Sequence, residues 1–251
     1  MKLSVRESGD PKGLPVVLLH AFPLSSAMWE PQYAALAAYR VLAPDLRGFG
    51  GTPLSAPWFI EHAVDDVLES VPEKCVFVGL SMGGYVALRL AEKAPGRVRA
   101  LVLCDTRAEG DANENKIKRA AAVDFVRSRG VAAFAEPFFR DALAPATLTG
   151  KPKVLEFLKG IAAKASPEAV TAAMAALAAR GDMVASLPGV KVPTSVMVGS
   201  QDKITPLPLA ELLRTRIPGA ELHIIPDAGH FSNAENPAAF NERLVSFLKR
   251  L

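Results

Sequence analysis

Cysteine is scarce in this chain: 251 residues contain only Cys75 and Cys104. Each sits inside an apolar, strand-like run, so buried free thiols are expected rather than a disulfide framework. Neither a CxxC pair nor a Cys/His spacing suited to a metal occurs. Net charge is also small, formally +3, with basic and acidic residues interspersed. That balance argues against nucleic acid as a partner. The basic run Lys116-Ile117-Lys118-Arg119 reads as a solvated helix face rather than a phosphate site. No segment approaches about 18 uninterrupted apolar residues, so no membrane span is expected. Residues Met1 to Glu7 alternate like a strand and lack an apolar signal core. Internal repeats and low-complexity tails are missing too. Together these absences favour a cytoplasmic, enzyme-sized protein. They leave its oligomeric state open.

Half of the residues are apolar, enough for a full core in a chain of this length. Strands are predicted at 3–7, 16–20, 40–44, 75–80, 98–105, 194–199 and 221–225. Several are continuous Val/Leu runs, as buried parallel strands are. Helices are predicted between them, at 28–38, 59–70, 82–94, 207–217 and 237–251. Asn236 is placed to cap the last of these, with Pro237 at its first position. Alternating strands and helices argue for an α/β fold with a mostly parallel central sheet flanked by helices.

The alternation stops between about Thr106 and Pro188. This stretch is rich in alanine and charge, with helix-like pieces near 113–129, 131–139, 153–164 and 167–179. It is expected to be an inserted helical lid. The core would then be 1–105 together with 189–251, and the lid 106–188.

Gly79-Leu80-Ser81-Met82-Gly83 is the most informative stretch. It follows an apolar run and opens a helix-like one, the layout of a nucleophile elbow. A serine hydroxyl is a weak nucleophile and must stand clear of the backbone, within reach of a base. A sharp strand-to-helix turn lifts it there. Residues two before and two after the serine then crowd each other, which suits glycine at both places. The helix behind it would aim free N–H groups at the reacting centre, where negative charge develops. By chance G-x-S-x-G arises about once in ten chains of this size, at roughly 7% usage of each residue type. The motif therefore needs a base and an acid downstream.

Ligands of open α/β sheets bind beyond the carboxyl ends of the strands. Of the four histidines, His62 lies in a predicted surface helix, His223 lies mid-strand, and His20 ends a strand ahead of the elbow. His230 follows the last strand and is the candidate base, since histidine titrates near neutrality. Asp202, beyond the strand at 194–199, is the candidate acid that would hold the imidazole tautomer. Asp105 also ends a strand and is the alternative acid. Asp227 is read as shaping the turn before His230. The chain order Ser81, Asp202, His230 is that of an α/β-hydrolase triad.

With these motifs the sequence resembles the α/β-hydrolase superfamily over nearly its full length. His20-Ala21-Phe22-Pro23 is similar to the family's His-Gly-x-Pro-like oxyanion loop, with Ala21 where glycine is commoner. Asp45-Leu46-Arg47-Gly48-Phe49-Gly50-Gly51-Thr52 resembles its D-x-R-G-x-G-x-S loop, and Ala228-Gly229-His230 its histidine turn. The resemblance implies an oxyanion hole from the Phe22 and Met82 backbone N–H groups. It also implies that Arg47 ties its loop down. Leu24-Ser25-Ser26-Ala27-Met28-Trp29, Leu103-Cys104-Asp105-Thr106 and the stretch Gly229 to Pro237 resemble the 3-oxoadipate enol-lactone hydrolase branch and its esterase relatives.

This branch implies a serine hydrolase of small carboxylic esters or lactones that works without a metal or organic cofactor. A C–C bond hydrolase, a cofactor-free perhydrolase and a hydrolase-fold ligand receptor share the scaffold. Serine at position 81 argues against dehalogenases and epoxide hydrolases, which carry aspartate at the elbow. The lid would choose the substrate. Leu24, Phe138 and Phe139 are the expected pocket residues, with Phe134 able to serve instead as packing. Arg140, the cation beside these phenylalanines, is a candidate partner for a substrate carboxylate.

Overall fold

A computed structural model describes every residue except Pro57 and Glu73. Its strands are β1 (Val5–Gly9), β2 (Pro15–Leu19), β3 (Arg40–Pro44), β4 (Cys75–Leu80), β5 (Val98–Cys104), β6 (Thr194–Gly199) and β7 (Glu221–Ile225). They form one sheet in the order β1-β3-β2-β4-β5-β6-β7. Only β1 runs antiparallel to its neighbour. Strand order reverses between β2 and β4, and a crevice opens at such a switch point beyond the carboxyl ends of the strands.

Side-chain alternation sorts the strands between two cores. Val17, Leu19, Phe77 and Leu101 face one apolar cluster. Val16, Leu18, Val76, Val78 and Leu80 face the other. All six residues of β4 are buried, as befits a parallel strand covered on both faces. The helices are α1 (Glu30–Tyr33), α2 (Ile60–Ser70), α3 (Met82–Lys93), α4 (Asn113–Ala142), α5 (Pro145–Gly150), α6 (Pro152–Ala162), α7 (Pro167–Ala179), α8 (Leu207–Arg216), α9 (Ser232–Glu235) and α10 (Pro237–Leu248). Val64 and Val67 of α2, Val86 and Leu90 of α3 and Leu213 of α8 cover the first face. Phe240 and Leu244 of α10 cover the second. Both cysteines are buried, and burial pushes the Cys75 thiol up to about 11.

Among the described residues no strand lies between β5 and β6. The intervening chain is helical, and α4 breaks at Gly130, where φ is 81° and ψ 168°. Glycine adopts this conformation without the Cβ clash other residues would meet. Arg180 ties this helical stretch to α3, with its guanidinium 4.3 Å from the Tyr85 ring centroid, and pairs within the stretch with Asp111 at 2.8 Å.

One predicted helix is much shorter than expected. The chain forms a 3₁₀ turn at Ser26–Trp29 and the single turn α1, then passes into turns before β3. Leu36 N–H there is shared between the Gln32 and Tyr33 carbonyls, at 3.1 and 3.2 Å. No helix among the described residues is long and apolar enough to cross a membrane.

Candidate active site

The turn after β4 gives Ser81 φ 53° and ψ −112°, a conformation that is strained for a residue with a Cβ. Close approach on both sides fixes it. A Cβ on Gly79 would meet the Gly83 carbonyl oxygen at 2.3 Å, and one on Gly83 would meet the Leu19 carbonyl oxygen at 2.0 Å. The Ser81 N–H donates to the Cys104 carbonyl at 2.9 Å, and the Thr106 hydroxyl donates to the Ser81 carbonyl at 2.9 Å. Ser81 Oγ is thereby presented at the start of α3.

His230 comes from the loop after β7. Its N–H donates to the Ala142 carbonyl at 2.9 Å. Its Nε2 lies 2.9 Å from Ser81 Oγ, and its Nδ1 lies 2.9 Å from Asp202 Oδ2. Asp202 sits beyond β6 in a nest of donors. Its Oδ1 accepts the N–H groups of Ile204 at 2.8 Å and Thr205 at 2.9 Å, and its Oδ2 accepts the Thr205 hydroxyl at 2.6 Å. Burial opposes ionising this carboxyl. The His230 charge and the hydrogen bonds from His230 and Thr205 outweigh burial and hold it below the ordinary carboxylate range. All three side chains are buried, so their charges act with little screening by water.

Asp105 does not reach the histidine. It accepts the Gly199 N–H at 2.8 Å and the Ser232 hydroxyl at 2.5 Å. Burial, reinforced by the negative charge of Asp202, pushes its carboxyl well above the ordinary range.

The loop after β2 carries Phe22, joined to Pro23 by a cis peptide bond. Phe22 and Met82 are both buried. Among the described residues neither of their backbone N–H groups has a hydrogen-bond acceptor. Orphaned buried N–H groups are rare, and these two flank the strand-order reversal. Two buried contacts hold the loop: His20 Nε2 accepts the Leu46 N–H at 2.9 Å, and Asp45 Oδ1 accepts the Ser26 N–H at 2.7 Å. Burial lowers the His20 pKa, so the ring accepts at Nε2 while Nδ1–H faces the Ala21 carbonyl at 3.0 Å. Arg47 anchors the adjoining loop to the buried Asp66, with Nη2 at 2.9 Å from Oδ1.

A groove of about 510 Å³ lies between the helical stretch after β5 and the loops that carry Phe22 and Ile204, with Phe22, Phe134, Pro137, Phe138, Met174 and Ile204 on its apolar walls; Ser81, Asp202 and His230 do not line it. Of the expected pocket residues, Phe138 lines it, and so does Phe134. Their rings stack at 5.4 Å, and each meets the Phe22 ring edge-on, at 6.0 and 6.2 Å. The other three expected pocket residues lie elsewhere than on this groove. Phe139 is fully buried and packs on Phe231 at 5.3 Å, because the next position along α4 turns the ring to the sheet. Leu24, whose N–H donates to the Ala21 carbonyl, packs with Met28 and Trp29 and lines a separate cavity of about 300 Å³ on the other side of the Phe22–Pro23 loop. Arg140 is 57% exposed and pairs with Glu136 one turn earlier. None of these three lines the groove.

The cations on the groove are Arg107, Lys118, Arg119 and Lys203, with Asp141 beside them. Arg107 and Arg119 share Asp111, at 2.6 and 2.5 Å, and Arg180 joins the same carboxylate. The run Lys116 to Arg119 is exposed except at Arg119, which is half-buried. Ile117 points to water at 70% exposure, while Lys118 and Arg119 face the groove. The helical period separates these neighbours, but without knowing which face packs, the sequence does not mark the inward one.

Comparison with known proteins matches this architecture. Residues 16–243 fit the model of the alpha/beta hydrolase family. An esterase from Thermogutta terrifontis, solved with malate bound, superposes with a TM-score of 0.93 at 36% identity, covering 99% of this chain and 93% of that one. A pimeloyl-[acyl-carrier protein] methyl ester esterase of Aromatoleum aromaticum is 33% identical over 92% of this chain and 97% of its own length. A 3-oxoadipate enol-lactonase of Acinetobacter baylyi is 28% identical over 99% of this chain and 94% of its own. The sheet order, the serine turn and this likeness along the chain lead to one statement: the protein is a hydrolase that belongs to the alpha/beta hydrolase family.

Proposed function

We propose that this hydrolase cleaves small carboxylic esters or lactones through an acyl-enzyme. The continuous link from Ser81 Oγ through His230 to Asp202, with both hydrogen-bonding distances at 2.9 Å, carries the reading. His230 Nε2 takes the Ser81 proton as Oγ attacks the carbonyl carbon. The oxyanion that forms is met by the Phe22 and Met82 N–H groups, which have no acceptor among the described residues. The tetrahedral intermediate collapses, the alkoxide leaves with the proton from His230, and Ser81 remains acylated. Water then gives its proton to His230 and attacks the acyl carbon, and Ser81 recovers its proton as the acid departs. Asp202 stabilises the imidazolium at each stage. The esterases and enol-lactonases among the relatives support ester or lactone as the scissile group.

The insertion acts as a lid, and the groove beneath it takes the part of the substrate remote from the scissile bond. Its phenylalanine wall suits an apolar chain. Four cations against Asp141 and the shared Asp111 leave the rim net positive, which favours an anionic group at the far end. The test is a panel of p-nitrophenyl acetate, butyrate and hexanoate, the hemiester of glutarate and simple lactones, run on wild type and Ser81→Ala. Turnover by wild type and its loss in the variant support the reading. Equal turnover by both contradicts it. A hemiester no better than butyrate contradicts the anionic preference alone.

A further inference from the structure

Glu235 is a fully buried carboxylate in α9, five residues past His230. Its Oε1 accepts the N–H groups of Gly229 at 2.9 Å and Phe231 at 3.2 Å, the two residues on either side of His230. Its Oε2 accepts the Ala144 N–H at 2.8 Å and the Thr147 hydroxyl at 2.7 Å, both in the insertion where α4 gives way to α5. One side chain thus ties the histidine turn to the end of the kinked lid helix. The same junction is closed by the His230 N–H donating to the Ala142 carbonyl. It is also tight: a Cβ on Gly229 would meet the Ala142 carbonyl oxygen at 2.4 Å.

We propose that Glu235 is a positioning residue, one that fixes the His230 ring for proton transfer by clamping the backbone on both sides of it to the lid. The proposal rests on the reading of Ser81, His230 and Asp202 as the reacting set. A carboxylate suits the place because four donors converge on two oxygens, and only an acceptor at both ends satisfies them. Glutamine keeps the volume but brings an NH2 group. Whichever way that amide turns, the NH2 faces a backbone N–H, of Gly229 and Phe231 on one side or of Ala144 on the other. A displacement of the imaginary line from Ser81 to His230 by a fraction of an ångström is enough to slow proton transfer, since the reacting atoms must hold hydrogen-bonding distance.

The experiment compares wild type, Glu235→Gln and Thr147→Val on p-nitrophenyl butyrate, and also measures the rate of Ser81 labelling by a fluorophosphonate. Rates are taken per folded molecule, at temperatures below each variant's melting transition. Glu235→Gln is expected to lower kcat by 10- to 100-fold with KM within about two-fold, and to slow labelling by a similar factor, because labelling needs the same activated serine. Thr147→Val removes one donor from the lid side only and is expected to cost a few-fold in both measures. If Glu235→Gln does not fold, Thr147→Val decides alone. A folded variant with wild-type kcat and labelling rate, or with only KM raised, overturns the proposal. Absence of Ser81 labelling in wild type is a different failure, that of the triad reading itself.

Discussion

Gly79 and Gly83 face each other across the turn that presents Ser81, so closely that a Cβ on the first would stand 2.3 Å from the carbonyl oxygen of the second. The obstacle is backbone, which cannot rotate away as a side chain would. Gly79→Ala must therefore open the turn or displace α3. It is expected to destabilise the protein by about 1–3 kcal/mol, the usual cost of forcing a core, and to lower kcat at least ten-fold. Chemical denaturation and steady-state kinetics measure the two effects. Wild-type values for both would show that the turn tolerates a wider geometry.

Two buried aspartates near His230 differ in role, and their amides separate them. Asp202→Asn removes the acceptor that fixes the imidazole tautomer and should lower kcat by about 10⁴-fold. Asp105 is held toward the protonated form by burial and by the charge of Asp202, and an amide resembles a protonated acid in shape and charge. Asp105→Asn should stay within about ten-fold of wild type. The reverse ranking would reassign the acid.

Phe138 and Phe139 are neighbours in sequence with different surroundings. Phe138→Ala opens the groove and should shift the preference among acetate, butyrate and hexanoate esters toward longer chains. Phe139→Ala leaves a cavity against Phe231 and should cost about 3–5 kcal/mol of stability with the ranking of esters kept. Melting curves and the ester panel together distinguish the two. Identical behaviour of both variants contradicts the placement of these rings.

The sequence shows the sheet and the serine turn clearly, and the reasons are local. β4 is a continuous apolar run, and glycines at 79 and 83 answer a clash that the spacing itself implies. His230 and Asp202 emerge from chain order, because each follows a strand whose carboxyl end is where ligands bind. The helical stretch between β5 and β6 was legible from its want of strand patterning, but which of its faces lines the groove was not. Phe138, Phe139 and Arg140 are consecutive, and a helix sends consecutive residues about 100° apart. Which one faces the groove depends on how α4 packs after its break at Gly130. Glu235 gave no signal either, since its four donors are mostly backbone groups from two distant parts of the chain.

The Arg47–Asp66 pair should give the fold an acid-sensitive element. Burial opposes ionisation of Asp66, but its hydrogen bonds to Arg47 and the Met1 amine outweigh it and hold the carboxyl below the ordinary range. A lowered pKa means that the unfolded chain binds this proton more readily. The stabilisation is therefore present above the unfolded value, about 3.9, and is lost as pH falls through the lower folded value. Asp66→Asn should lower the melting temperature at pH 7, with a cost of up to about 3–5 kcal/mol for removing the charge of one member of a buried ion pair. The gap to wild type should narrow below about pH 4. A gap that stays constant down to the acid limit would contradict this assignment.

Ser81 is the proposed nucleophile, activated by His230 and Asp202. Intact-mass measurement after treatment with a fluorophosphonate tests it most directly. The expected result is one covalent label per chain, located by peptide mapping on the segment that carries Ser81. Labelling should be absent in Ser81→Ala and slowed by orders of magnitude in His230→Ala. Undiminished labelling of Ser81→Ala, or a label that maps elsewhere in wild type, would contradict it.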